Sequence, residues 1–169
     1  STLILKKNPD WTEGEEVFSR FIVRVKEPRV PIMLIQSDIF SLKEGQKGSV
    51  AGLPIQIELK SPKWSHRISF KNREYFFELR KGVPEANYTQ THVMLRESAV
   101  STKLFSVIEG EDLEHSSLKV VWAGDLDDDG RLDLVLEDNS HGTSTMLFLS
   151  SKTKDGLVEQ VGSEYHGGC

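Results

Sequence analysis

Cysteine is almost missing from this chain: there is one in 169 residues, and it is the last, Cys169. No internal disulfide can form, so the fold must rest on its apolar core or on another kind of cross-link. Long apolar runs are missing too. None approaches the roughly 20 residues of a membrane-spanning helix. The net charge is −5, and no basic stripe marks a nucleic-acid surface. No glycine-rich phosphate cradle and no Gly-x-Ser-x-Gly elbow is present. The histidines, His66, His92, His115, His141 and His166, lack the paired spacing of a zinc site. Helical patterning is scarce as well.

What is present is strand patterning. Val17 to Lys26 alternates, with Phe21, Val23 and Val25 on one face. The prolines of Glu27-Pro28-Arg29-Val30-Pro31 break it. Ile32-Met33-Leu34-Ile35 is a continuous apolar run, expected as a strand buried on both faces, and Gly45 to Gly48 is expected as a turn. Ile55 to Lys60 alternates cleanly. His66 to Phe70 and Glu74 to Leu79 are the arms of a predicted hairpin turning near Lys71-Asn72-Arg73. Thr91 to Arg96 is another strand. In 97–108, Val100, Leu104, Val107 and Ile108 fit helical spacing while Lys103 to Val107 fits a strand, and the strand is preferred here. The acidic connection 109–117 is the candidate internal boundary of what otherwise reads as one domain over 1–169. From 118 onward the pattern predicts a four-stranded meander ending near Val161, followed by a mobile tail, Gly162 to Cys169.

The corner between the first two strands of that meander is Asp125-Leu126-Asp127-Asp128-Asp129-Gly130-Arg131-Leu132-Asp133. Carboxylates at alternate positions of a curled loop can point at one centre, and a glycine allows the sharp turn. Ca²⁺ takes about six to eight oxygens, and this loop is written in oxygen ligands. Asp125, Asp127, Asp129, the carbonyl of Arg131 and Asp133 are the candidate metal ligands. Crowding five aspartates into nine residues is costly unless a cation neutralises them, since like charges repel. An EF-hand needs a bidentate acid at the twelfth position. Here that position is Leu136, and both flanks, 118–122 and 132–136, read as strands.

A calcium loop joining two strands resembles the FG-GAP (VCBS-like) repeat. The resemblance is carried by Trp122-Ala123-Gly124-Asp125-Leu126-Asp127 through Asp133-Leu134-Val135, and downstream by Leu147-Phe148-Leu149-Ser150-Ser151 and Gly156-Leu157-Val158. It covers residues 118–162 and implies a calcium site on the five positions named. A propeller blade takes about 40–45 residues. The aspartate pattern occurs once, so a complete propeller is not expected. The expected fold is all-β, with antiparallel sheets in a sandwich or as two packed sheets.

Other chemistry is sparse. Trp11, Trp64 and Trp122 are candidates for a sugar-stacking platform. Trp122 falls in step with Leu118 and Val120 and is assigned to the core, while Trp64, after a proline, is the one best placed for exposure. Glu137 and Asp138 read as strand-end acids. The functional expectation is a calcium-stabilised, non-enzymatic β module in contact with protein or carbohydrate. A small hydrolase of glycan or peptide, scaffolded by calcium, is the alternative. The chain opens at Ser1 without an initiator methionine or signal core, which reads as the mature form of a secreted or periplasmic protein.

Overall fold

A computed structural model describes residues 2–7, 19–25, 31–37, 45–84, 88–108, 117–140 and 142–167; at 2–7, 19–25, 31–37, 45–46 and 166 it describes the backbone alone. Trp11, the break at 27–30, the connection 109–116, His141 and Cys169 lie outside the described residues.

Strands account for nearly all the regular structure among the described residues, and every ladder is antiparallel. The first sheet holds β1 (Thr2–Lys7), β2 (Ser19–Val25), β3 (Pro31–Ser37) and β4 (Gly45–Gly48), in the order β3-β2-β1-β4. The second adds β5 (Ile55–Ile57) to the predicted meander, β10 (Leu118–Gly124), β11 (Asp133–Asp138), β12 (Thr143–Leu149) and β13 (Glu159–His166). Its order is β13-β12-β11-β10-β5. The third is a meander of β6 (Ser65–Phe70), β7 (Arg73–Lys81), β8 (Gln90–Glu97) and β9 (Val100–Ile108). Among the described residues, no sheet closes into a barrel or a ring of blades. The fold is all-β, as the patterning predicts.

The second and third sheets share one apolar core. Ile55, Ile57, Leu118, Val120, Leu134, Leu136 and Phe148 come from one side; Ile68, Tyr75, Phe77, Val93, Leu95 and Val107 come from the other. Each such aliphatic or aromatic side chain contributes about 1.5–3 kcal/mol on full burial. The opposite face of the second sheet is buried too. Trp122, Val135, Leu147 and Leu149 are all within 1% of complete burial. That explains why β12 has apolar residues at successive positions: it is a central strand with no wet face.

Bulges account for the places where patterning misleads. Val120 pairs with Leu136 but Trp122 pairs with Val135, so Val121 is an extra residue. Paired residues share a face, hence Trp122 points away from Val120 rather than alongside it. The tryptophan is core, as expected, but on the other side of the sheet. In β9, Val93 pairs with Phe105 and Met94 with Lys103, which leaves Leu104 as the extra residue. The two-residue period breaks there. Leu104 and Val107 are both buried although three apart, which is the origin of the helix-like spacing.

Two expectations are corrected. Gly45–Gly48 is a strand, not a turn, because its backbone pairs with β1 from Thr2↔Gly48 to Leu5↔Gly45. Glycine leaves no side-chain pattern to read. Residues 162–166 are not a free tail: they continue β13, pairing with β12 as far as Thr143↔His166. The predicted β6–β7 hairpin is present. Its turn is Lys71-Asn72, with φ of 44° and 64°, the left-handed pair of a type I′ turn. Among the described residues, no helix is long and apolar enough to cross a membrane.

Candidate metal centre

β10 and β11 close on each other at the pair Gly124↔Asp133, and residues 125–132 form the loop between them. Apolar anchors hold the loop down. Leu126 is completely buried and Leu132 is 1% exposed, so the residues between the aspartates tie it to the protein interior. Gly130, at the sixth position, has φ +86°, which glycine adopts without strain. Gly124 allows a close approach at the loop's entrance: a Cβ there would lie 2.5 Å from the Gly48 carbonyl oxygen.

Asp125, Asp127 and Asp133 converge. One carboxylate oxygen from each lies within 4.8 Å of the other two. Asp133 is fully buried and Asp127 is 5% exposed. The Asp133 carboxylate accepts from the backbone N–H of Leu126 (2.7 Å, Oδ2) and of Ser150 (2.8 Å, Oδ1). Burial nevertheless pushes its pKa up to about 7, with the nearby Asp127 charge adding to the rise and the Ser150 and Leu126 hydrogen bonds opposing it. Asp125 accepts from Gly130 N–H at Oδ2 (2.9 Å), while its Oδ1 is buried and has no hydrogen-bond partner among the described residues. A buried carboxylate oxygen without a donor is costly, and a cation at the convergence point would satisfy it. The donor set is oxygen only, which suits a hard cation. The triad can therefore coordinate a divalent cation.

Asp129 and Arg131 are placed differently. The Asp129 carboxylate takes the backbone N–H of Arg131 (2.7 Å) and its Nε (2.9 Å), and lies 3.2 Å from the Ser150 hydroxyl. Asp129 is thus engaged beside the triad rather than converging with it. The Arg131 side chain forms an ion pair with Asp129.

Several residues at this centre carry no signal in the loop itself. Ser150 and Ser151 open the short 3-10 turn Ser150–Lys152 that follows β12. The Ser150 hydroxyl lies 2.9 Å from Asp133 Oδ1, so its single hydrogen is shared between Asp133 and Asp129. The Ser151 hydroxyl donates to Asp127 Oδ2. The two serines follow β12 in sequence, and the spacing of the loop's aspartates gives no sign of either. Two lysines arrive from other sheets. Lys71 Nζ lies 2.6 Å from Asp125 Oδ2, and the Asp125 hydrogen bond raises the lysine pKa. Lys47 Nζ lies 2.7 Å from Asp128 Oδ1.

Beside the loop a cleft of about 270 Å³ is lined by Tyr75, Leu132, Leu157, Arg73, Arg131 and Lys154, together with the acids Glu97 and Asp155. Arg73 forms an ion pair with Glu97 at 3.5 Å. Trp64 is half-buried against the core, its ring 6.4 Å from that of His66, so it offers no fully exposed stacking face. Glu137 is bonded to Lys119 (2.6 Å) and Asn139 (2.8 Å), and Asp138 to Ser140, away from the triad. Comparison with protein-family models, with curated proteins and with solved structures finds no match.

Proposed function

We propose that residues 125–133 bind one Ca²⁺, as a single FG-GAP-like unit, and that the protein is a calcium-stabilised β module working outside the cytosol in contact with protein or carbohydrate. One observation carries the reading: three aspartates bring carboxylate oxygens to within 4.8 Å of one another, and one of them, Asp125, keeps a buried oxygen that lacks a hydrogen-bond partner among the described residues. Asp125, Asp127 and Asp133 would hold the ion, with Asp129 and the Arg131 carbonyl as further oxygens of the implied set. Calcium is favoured over magnesium by chemistry. Mg²⁺ demands near-ideal octahedral geometry and keeps its waters, whereas Ca²⁺ accepts irregular carboxylate cages. An extracellular or periplasmic setting is supported by supply, since extracellular calcium modules work at about 10⁻⁴–10⁻³ M.

The bound ion would supply positive charge at the sheet corner and so permit Asp133, Asp127 and Asp125 to be ionised together. Its role here is to fix the β10–β11 corner against Ser150 and Ser151 after β12. Thermal unfolding tests this. Millimolar Ca²⁺ should raise Tm and a chelator should reverse the rise, with Mg²⁺ giving a smaller shift. No shift at millimolar Ca²⁺ would sink the reading.

A further inference from the structure

Lys71 belongs to the third sheet, 54 residues from Asp125 in sequence, yet it stands over the candidate metal centre. Its Nζ is 2.6 Å from Asp125 Oδ2. It also lies 3.8 Å from where a Cβ on Gly130 would be, over the sixth position of the loop. The same Nζ lies over the Phe70 ring, 5.3 Å from its centroid. The backbone at Lys71 has φ 44°, a conformation that glycine or asparagine adopts more easily than lysine does. The type I′ turn therefore presents a strained residue whose ammonium reaches a carboxylate of another sheet.

The charges around the loop point the same way. Among the described residues, three cationic side chains pair with the loop's aspartates: Lys71 with Asp125, Lys47 with Asp128 and Arg131 with Asp129. Lys47 and Arg131 pair with carboxylates outside the converging triad. Lys71 alone of the three pairs with a member of it. Half of its side-chain surface is exposed, at 52%, so the ammonium has room to withdraw into solvent.

We propose that Lys71 is a tethered competitor of the cation: its ammonium occupies Asp125 when no ion is bound, and calcium must displace or tolerate it, which sets the site's affinity lower than its carboxylates alone would give. This rests on the reading of the loop as a calcium site. It ties calcium occupancy to the β6–β7 turn, because binding loosens the Lys71–Asp125 bond between the second and third sheets.

Calcium titration calorimetry on the full chain tests it, with Lys71→Gln, Lys71→Asn and Lys71→Arg beside the unsubstituted protein. Asparagine suits the left-handed backbone at this position, so that variant keeps the turn. Removing a positive charge this close to a doubly charged ion should tighten calcium binding roughly tenfold, even at the dielectric of water. Lys71→Arg, which keeps the charge, should bind within a few-fold of the original. If the original protein binds calcium and both neutral variants bind with equal or weaker affinity, the competition is overturned while the calcium site stands. If neither the original nor any variant binds, both readings fall. Binding by the neutral variants alone would support the competition in its strongest form.

Discussion

Two connections in this protein reverse an antiparallel pair by opposite means. The β6–β7 turn does it with Lys71 and Asn72 alone, two residues with positive φ. The β10–β11 connection uses 125–132 and closes at Gly124↔Asp133. The short turn is held by its own backbone geometry, matched to the strand twist. The long one is held by buried leucines and by carboxylates that accept from the loop's own N–H groups: Gly130 to Asp125, Arg131 to Asp129 and Leu126 to Asp133. Those carboxylates repel one another, so the long corner carries an electrostatic cost that the short one does not. Two residues suffice to turn a chain, so the extra length of the second connection serves to collect oxygens at one point.

Substitutions that remove the loop's internal acceptors should have the largest effect. Asp133→Ala strips the acceptor from two buried N–H groups, those of Leu126 and Ser150, while the Ser150 hydroxyl keeps Asp129. Each unsatisfied buried group costs about 1–3 kcal/mol, so a loss of about 2–6 kcal/mol is expected in urea unfolding. A change near zero would mean that the loop is not held by these bonds. In the calcium-free protein, pH should matter next. The folded state raises the Asp133 pKa from 3.8 to about 7. A raised carboxyl pKa means that folding favours the protonated form. The stabilisation is complete below about pH 4 and is lost as pH rises to about 7, at about 1.36 kcal/mol for each pH unit crossed. Urea midpoints between pH 4 and 8 should fall in calcium-free buffer. Saturating calcium should flatten or reverse that slope, because ligands must be deprotonated to bind metal.

Calcium itself should follow. At a hundred times its dissociation constant an ion adds about 2.7 kcal/mol, which for a domain of this size shifts Tm by about 5–10 °C. Asp127→Ala should abolish that shift in a thermal melt, while Glu137→Ala, bonded to Lys119 and Asn139 instead, should keep it. The smallest effect belongs to the short turn. Asn72→Gly places the residue most tolerant of φ 64° at the second turn position and should stabilise by about 0.5 kcal/mol. It should leave the calcium response unchanged; a changed response would mean that the two corners are coupled through the turn backbone rather than through Lys71.

Most strands were legible because one or both faces are buried and the period of two survives. Patterning fails where that period carries no information. Gly45 and Gly48 have no side chains to pattern, so β4 is visible only through its pairing with β1. The bulge at Val121 turns Trp122 to the other face, and a bulge announces itself in pairing, not in composition. At the candidate centre the loop residues were legible through their spacing. Asp125, Asp127 and Asp133 converge, whereas Asp129, with the same spacing, turns to Arg131 and Ser150. Lys71 and Lys47 were not legible at all. They lie 54 residues from Asp125 and 81 from Asp128, respectively, and reach them only through tertiary structure.

Isothermal titration of the chain with CaCl₂ at neutral pH, alongside Asp127→Ala, tests most directly whether residues 125–133 hold one calcium ion. One ion per chain is expected in the original protein and none in the variant over the same concentration range. Absence of binding up to millimolar calcium, or binding that survives Asp127→Ala unchanged, would contradict it.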